Sequence, residues 1–210
     1  MFANARLGYI AGIAVAYLVS IAAYPRIPGP YCGPGCTMVL ARPLIAFALP
    51  TAIAVVVVFL GMLWNRDPIR DRDAQIESTY HAVIRTVVLF VLALHVAILF
   101  ALTSQLRPDV VRTVAHAVPV MFGLTLIVIG NLLPRFRPNV VIGIRTSRTL
   151  TDRTAWARTN RVAGYATVGS GVMFLLGGVL PSLPVMEFAT VAALIVVTTL
   201  AWNSWRSRHA

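Results

Sequence analysis

Asn131-Leu-Leu-Pro134-Arg135-Phe-Arg137-Pro138-Asn139-Val-Val-Ile-Gly143-Ile144-Arg145-Thr146 stands between two long apolar runs and decides how the chain is read. Seven of the eighteen basic residues fall between Arg135 and Arg161, against one acid, Asp152. Outward from this stretch the chain is almost all hydrocarbon-like. It is 58% hydrophobic and only 12% charged, about half the charge of an ordinary globular domain. That composition points to the membrane.

A bilayer core about 30 Å thick needs roughly 20 apolar residues in a helix. Six windows meet or approach this: 7–23, 43–63, 82–103, 114–133, 162–180 and 185–202. The first is retained as a helix, because no small-residue cleavage site separates it from polar sequence. Pro119 predicts a kink in the fourth. The last two are joined only by Pro181-Ser-Leu-Pro184, which predicts a tight hairpin. The expected fold is all-α and polytopic. A two-helix N-terminal part (1–66) adjoins a four-helix part (67–210) that carries a basic loop (134–161), all in one bundle.

The net charge of +11 comes entirely from arginine. Thirteen arginines lie in alternating connections and tails on one side and four on the other, with Arg85 inside the third window. The positive-inside rule then places both termini in the cytoplasm. Anionic lipid headgroups suit this charge. Direct nucleic-acid binding does not follow, since no soluble domain carries a binding face. Trp64, Trp156, Trp202 and Trp205 fall near the inner ends of spans, where interfacial anchors belong. The second loop, Asn65 to Glu77, mixes signs evenly and reads as a solvated connector, with partner docking as the alternative.

Cys32-Gly-Pro-Gly-Cys36 falls in the outer first loop, where a small disulfide-closed turn, free thiols or a sparse metal site are the options. Three intramembrane polar residues stand out. Arg85 is close enough to the inner end to snorkel. His95 lies mid-span and needs a hydrogen-bond partner, as a packing residue or as a proton-linked one. His116 and Glu187 lie near outer helix ends. No hydrolase motif, carboxylate pair or phosphate loop is present, so neither an enzyme nor a cofactor is expected.

In the basic loop, Pro134 stops a helix and Pro138-Asn139 favours extended or turning backbone. Val140 to Ile144 is too short to span and should lie against the bundle. Thr149 and Thr151 are candidate N-caps, with Asp152 in the first turn of the next helix. Trp156 and Asn160 are spaced i, i+4, and that helix continues through Gly164 and Tyr165 into the fifth span. The forked guanidinium of Arg145 suits a carboxylate, a phosphate or helix-end carbonyls. Gly169, Gly171, Gly177 and Gly178 offer small surfaces for close helix packing.

Asn131-Leu-Leu-Pro134, Arg137-Pro138-Asn139, Gly143-Ile144-Arg145-Thr146, Thr149-Leu150, Trp156, Thr159-x-Arg161 and Gly164 together resemble the signature of SdpI-type membrane proteins. These are relatives of the immunity protein against the sporulation-delaying peptide toxin. The family run reads G-I-R-T-P-W-T-L, then a tryptophan, then T-H-R and a glycine. Here Ser147-Arg148 replaces the P-W pair and Asn160 replaces the histidine. Tyr24-Pro25-x-Ile27-Pro28 is more distantly similar to a motif in a domain often attached to the family. The resemblance implies a cofactor-free bacterial plasma-membrane protein that protects against a membrane-active peptide toxin, with a cytoplasmic repressor as a second partner. A small proton-linked transporter using His95 and His116 is the reading from another class. A lipid-modifying membrane enzyme lacks a general base beside Arg145.

Overall fold

The computed structural model describes residues 2–29, 31–32, 39–68, 74–180 and the single positions 191 and 194; the side chains of 2–6 and 31–40 are not described. Within these, five long helices and one short one carry the fold: α1 (Phe2–Ala23), α2 (Arg42–Arg66), α3 (Ala74–Thr103), α4 (Pro108–Leu132), α5 (Ser147–Thr151) and α6 (Arg153–Val179). Single 3-10 turns follow α1 and α4. A two-residue antiparallel pair, Tyr31–Cys32 with Val39–Leu40, lies between α1 and α2, a small departure from the expected all-α chain. The Cys32 and Cys36 thiols, the Pro181–Pro184 hairpin, Glu187, all of the sixth window but positions 191 and 194, Trp202 and Trp205 lie outside the described residues.

α1, α2, α3, α4 and α6 are each long and apolar enough to cross a membrane. Their outer faces carry Leu18, Val55, Phe59, Leu89 and Phe100 in the open, which suits hydrocarbon and not water. The helices outrun the sequence windows. α3 begins at Ala74, eight residues before the expected start, so residues 74–77 of the supposed second loop are helix. α6 runs unbroken from Arg153, joining the Trp156 segment to the fifth span as the sequence implied. α4 passes through Pro119, and α2 through Pro50, without interruption of the helix.

α1 lies parallel to α3. A methyl at Gly8 would sit 3.8 Å from the Arg85 side chain and one at Gly12 3.0 Å from Val88, while Ser20 bonds His95 further along. α4 and α6 form the most extensive helix pair. They are antiparallel, and glycine makes their approach possible. A Cβ on Gly123 would lie 2.5 Å from the Gly171 carbonyl oxygen, one on Gly130 2.8 Å from that of Gly164, and one on Gly178 2.8 Å from that of His116. Each step of seven residues forward on α4 is matched by a step of seven back on α6. Backbones in such contact gain dispersion energy that lipid cannot replace. Gly169, by contrast, faces open space.

The main core lies at the end of the bundle nearest the basic loop. Trp64, Tyr80, Val83, Ile84, Leu132, Phe136 and Trp156 meet there. A smaller cluster of Ile27, Ala46 and Leu99 closes the opposite end.

Candidate functional site

The segment from Phe136 to Asp152 folds back on the start of α6, and its own polar residues hold it there. Asn139 is the organiser: its side-chain oxygen accepts the N–H groups of Val141 (2.9 Å) and Ile142 (2.7 Å), and its amide donates to the Arg137 carbonyl (2.8 Å). An asparagine that closes its own turn in this way explains the extended entry imposed by Pro138. Val141 and Ile142 then turn inward onto the core, as expected for a stretch too short to span.

Gly143 follows with φ at +119°, a conformation that L side chains rarely adopt. A Cβ there would also meet the Asn160 oxygen at 2.6 Å and the Trp156 ring at 2.9 Å. Two constraints thus require glycine. Beneath it, Trp156 and Asn160 point from one face of α6 and are 1% and 0% exposed. The Trp156 indole N–H donates to the Phe136 carbonyl (2.7 Å), and the Asn160 oxygen accepts from the Ile144 N–H (2.9 Å). The Asn160 amide donates to the Trp156 carbonyl (3.1 Å), a direction that fixes its orientation.

Thr146 caps α5 by accepting from the Thr149 N–H (3.2 Å), and the Thr149 hydroxyl accepts from the Thr146 N–H (2.8 Å). The Thr149 hydroxyl also lies 2.9 Å from the Ile144 carbonyl. Asp152 caps α6 by accepting from the Thr154 N–H at 2.7 Å. The caps are therefore Thr146 and Asp152; Thr149 is the reciprocal partner three residues on, and Thr151 bonds back along its own short helix. Pro134 packs beside Gly164 at the last glycine contact of the α4–α6 seam. Asn131 turns back to the Ile127 carbonyl (2.9 Å), Thr159 is half-buried and Arg161 is exposed.

The Arg145 side chain donates through Nη1 to the Val140 carbonyl, spanning the loop instead of a helix end. The residue is exposed, and the guanidinium has further donors beyond this bond. Arg135, Arg137, Arg148, Arg153 and Arg158 are exposed around it, so a rigid turn displays a basic surface.

Asp67 and Trp64, which the sequence pattern did not place in the site, complete it together with Trp156. Asp67, read as part of a solvated connector, is buried at the end of α2 and accepts the Val140 N–H at 2.7 Å. Trp64 and Trp156, read as interfacial anchors, are both buried. Trp64 stacks on Tyr80 with ring centres 4.0 Å apart, meets Phe136 edge-on and donates to Glu77 at 3.0 Å. An indole so placed serves packing and one hydrogen bond, and no longer reaches a headgroup. An apolar stretch three residues before Asp67 was the available signal; the pairing itself spans 73 residues.

The intramembrane residues occupy separate junctions. His95 is buried where α1, α2 and α3 meet, with Nε2 2.7 Å from the Ser20 hydroxyl. That hydroxyl also lies 2.6 Å from the Ala46 carbonyl and 2.9 Å from that of Ala16. Arg85 is exposed beside the start of α1, and His116 sits on α4 with its carbonyl at the α6 seam. Among the described residues no cluster of potential metal ligands occurs.

Five membrane-length helices and a polar loop clamped to one end define a multi-pass helical membrane protein. Residues 135–202, about a third of the chain, match the model of the SdpI/YfhL protein family, and this part is similar to SdpI-type proteins; the residues before it lie outside the match. Comparison with curated proteins and with solved structures gives no match.

Proposed function

We propose that this chain is a bacterial plasma-membrane immunity protein that protects its cell from a membrane-active peptide toxin. The observation that carries the reading is the clamped turn. Asn139, Gly143, Thr149, Trp156 and Asn160 converge to hold the Arg145 loop rigid, and Asp67 ties that loop to α2. Mere chain reversal between two helices needs no such investment of buried polar groups. A rigid turn linked to an adjacent transmembrane helix can pass a change in helix packing to the basic surface, or the reverse. In this reading both termini and the turn face the cytoplasm, as the arginine distribution favours. The basic surface then faces the side on which a cytoplasmic repressor would lie, and the toxin meets the helices from within the bilayer.

The test is protection of a toxin-sensitive bacterial host by wild type and by Arg145→Ala at matched abundance, challenged with a membrane-active peptide toxin of the sporulation-delaying type. Wild type should protect and Arg145→Ala should not. Equal protection by both removes Arg145 from the function, and failure of wild type removes the immunity reading.

A further inference from the structure

A groove of about 340 Å³ lies between α1, α2 and α3, apart from the clamped turn but at the same end of the bundle. Its volume falls at the lower end of the roughly 300–1,000 Å³ typical of small-ligand sites. Its flanks are Ile10 and Ile13 of α1 and Val57, Val58 and Met62 of α2. Ile10, Val58 and Met62 are more than half exposed, so the mouth opens sideways, toward lipid. A ligand entering there comes from the bilayer.

Gly61 lines this groove, and a Cβ added to it would meet nothing within 4 Å. Glycine inside a helix costs about 1 kcal/mol relative to alanine. At Gly123, Gly130, Gly164 and Gly171 a facing backbone explains the residue. At Gly61 no neighbour does; what its missing side chain leaves is space in the groove.

The inner end is polar. Glu77 supplies a carboxylate that accepts from Trp64 at 3.0 Å and lies 3.4 Å from His81 Nε2. The rings of Tyr9, Trp64 and Tyr80 line the same space, with Tyr9 stacked on His81. Of these rings Tyr9 is partly open, while Trp64 and Tyr80 are buried and stacked on each other, so an ammonium group meets the Glu77 carboxylate beside the Tyr9 ring. Arg66, exposed one residue beyond the lining Asn65, supplies positive charge at that helix end for a phosphate. Acid within and base at the rim match a zwitterionic headgroup.

We infer that this groove binds an amine-headed lipid, one acyl chain lying between α1 and α2 over Gly61 and its ammonium against the Glu77 carboxylate. A space of this size takes one chain, not a whole two-chain lipid, so the second chain stays in the bilayer. Trp64 and Tyr80, which back the polar end, also belong to the core that supports the clamped turn. Occupancy therefore stabilises that end of the bundle.

The experiment is a titration of the full-length detergent-solubilised protein followed by native mass spectrometry. The probes are lysophosphatidylethanolamine and lysophosphatidylglycerol with the same acyl chain. The amine-headed probe should bind about tenfold more tightly, the factor expected from one additional charge-assisted contact. Glu77→Gln, which retains an acceptor for Trp64, should abolish the preference and keep chain binding. Gly61→Leu should weaken both probes at least about tenfold. Where Gly61→Leu accumulates poorly, Met62→Trp narrows the mouth from an exposed position and carries the same readout. Wild-type binding in the groove-filling variant places the lipid elsewhere. Equal affinity for both heads, or a preference that survives Glu77→Gln, eliminates the ammonium contact.

Discussion

Asp67 and Val140 are 73 positions apart, yet the Asp67 carboxylate accepts the Val140 N–H at 2.7 Å. This bond ties the end of α2 to a loop that otherwise belongs to α4 and α6. The Val140 carbonyl, on the same residue, accepts from Arg145. One loop residue is therefore held from both sides, by an acid outside the family-matched segment and an arginine within it. Asp67→Ala strands a part-buried N–H, which costs about 1–3 kcal/mol. Asp67→Asn keeps an acceptor and should lose less than about 1 kcal/mol. Hydrogen exchange over 136–146 reads the difference: faster in Asp67→Ala, close to wild type in Asp67→Asn. Equal exchange in Asp67→Ala and wild type would show that the latch holds nothing.

Gly143 makes a sharper case, because two penalties coincide. Its φ of +119° strains any L residue, and a methyl would lie 2.6 Å from the Asn160 oxygen. Gly143→Ala should destabilise the folded protein by at least about 2 kcal/mol. A lowered thermal midpoint in detergent should accompany lost protection of the Ile144 amide, which bonds that same Asn160 oxygen. An unchanged midpoint would mean that the turn relaxes without cost.

The membrane class, five of the spans and the clamped turn were legible in the sequence for definite physical reasons. Apolar runs of bilayer length have one common outcome, and Pro138-Asn139, Gly143 and the Trp156–Asn160 spacing each impose a local geometry. Pairing across long separations was not legible. Nothing in Asn65 to Glu77 distinguishes Asp67, buried under the loop, from its solvated neighbours in sequence. The tryptophans misled for a related reason. Trp64 and Trp156 do stand near span ends, but α3 begins at Ala74 and brings Tyr80 over Trp64. The glycines were readable as small surfaces, while which of them face a helix required the α4–α6 register.

That register gives a prediction within a single helix. Gly171→Ala places a methyl 2.7 Å from the Gly123 carbonyl oxygen, so α4 and α6 must part. The expected loss is about 1–3 kcal/mol, typical of overpacking. Gly169→Ala, two residues away and facing open space, should be neutral or stabilise α6 by up to about 1 kcal/mol. Thermal unfolding of the two variants side by side checks the sign of each effect. Loss of stability in Gly169→Ala equal to that in Gly171→Ala would contradict the seam.

The buried His95–Ser20 pair yields an ordering that runs against residue size. The Ser20 hydroxyl has one proton and lies 2.6 Å from the Ala46 carbonyl. With that proton on the carbonyl, the 2.7 Å contact to His95 requires Nε2 to be the donor. Nδ1 of the neutral ring is then a buried acceptor, and no partner for it exists among the described residues. His95→Leu removes this unmatched atom, fills a similar volume and leaves Ser20 bonded to the carbonyls. Ser20→Ala deprives Nε2 of its partner and leaves both ring nitrogens unmatched. Ser20→Ala should therefore cost about 1–2 kcal/mol, and His95→Leu less than about 1 kcal/mol. Unfolding midpoints of the two variants in the same detergent decide the order. Flux in proteoliposomes across a pH gradient adds the functional arm: a packing histidine predicts none in wild type, whereas pH-driven flux lost in His95→Leu would favour the transporter reading.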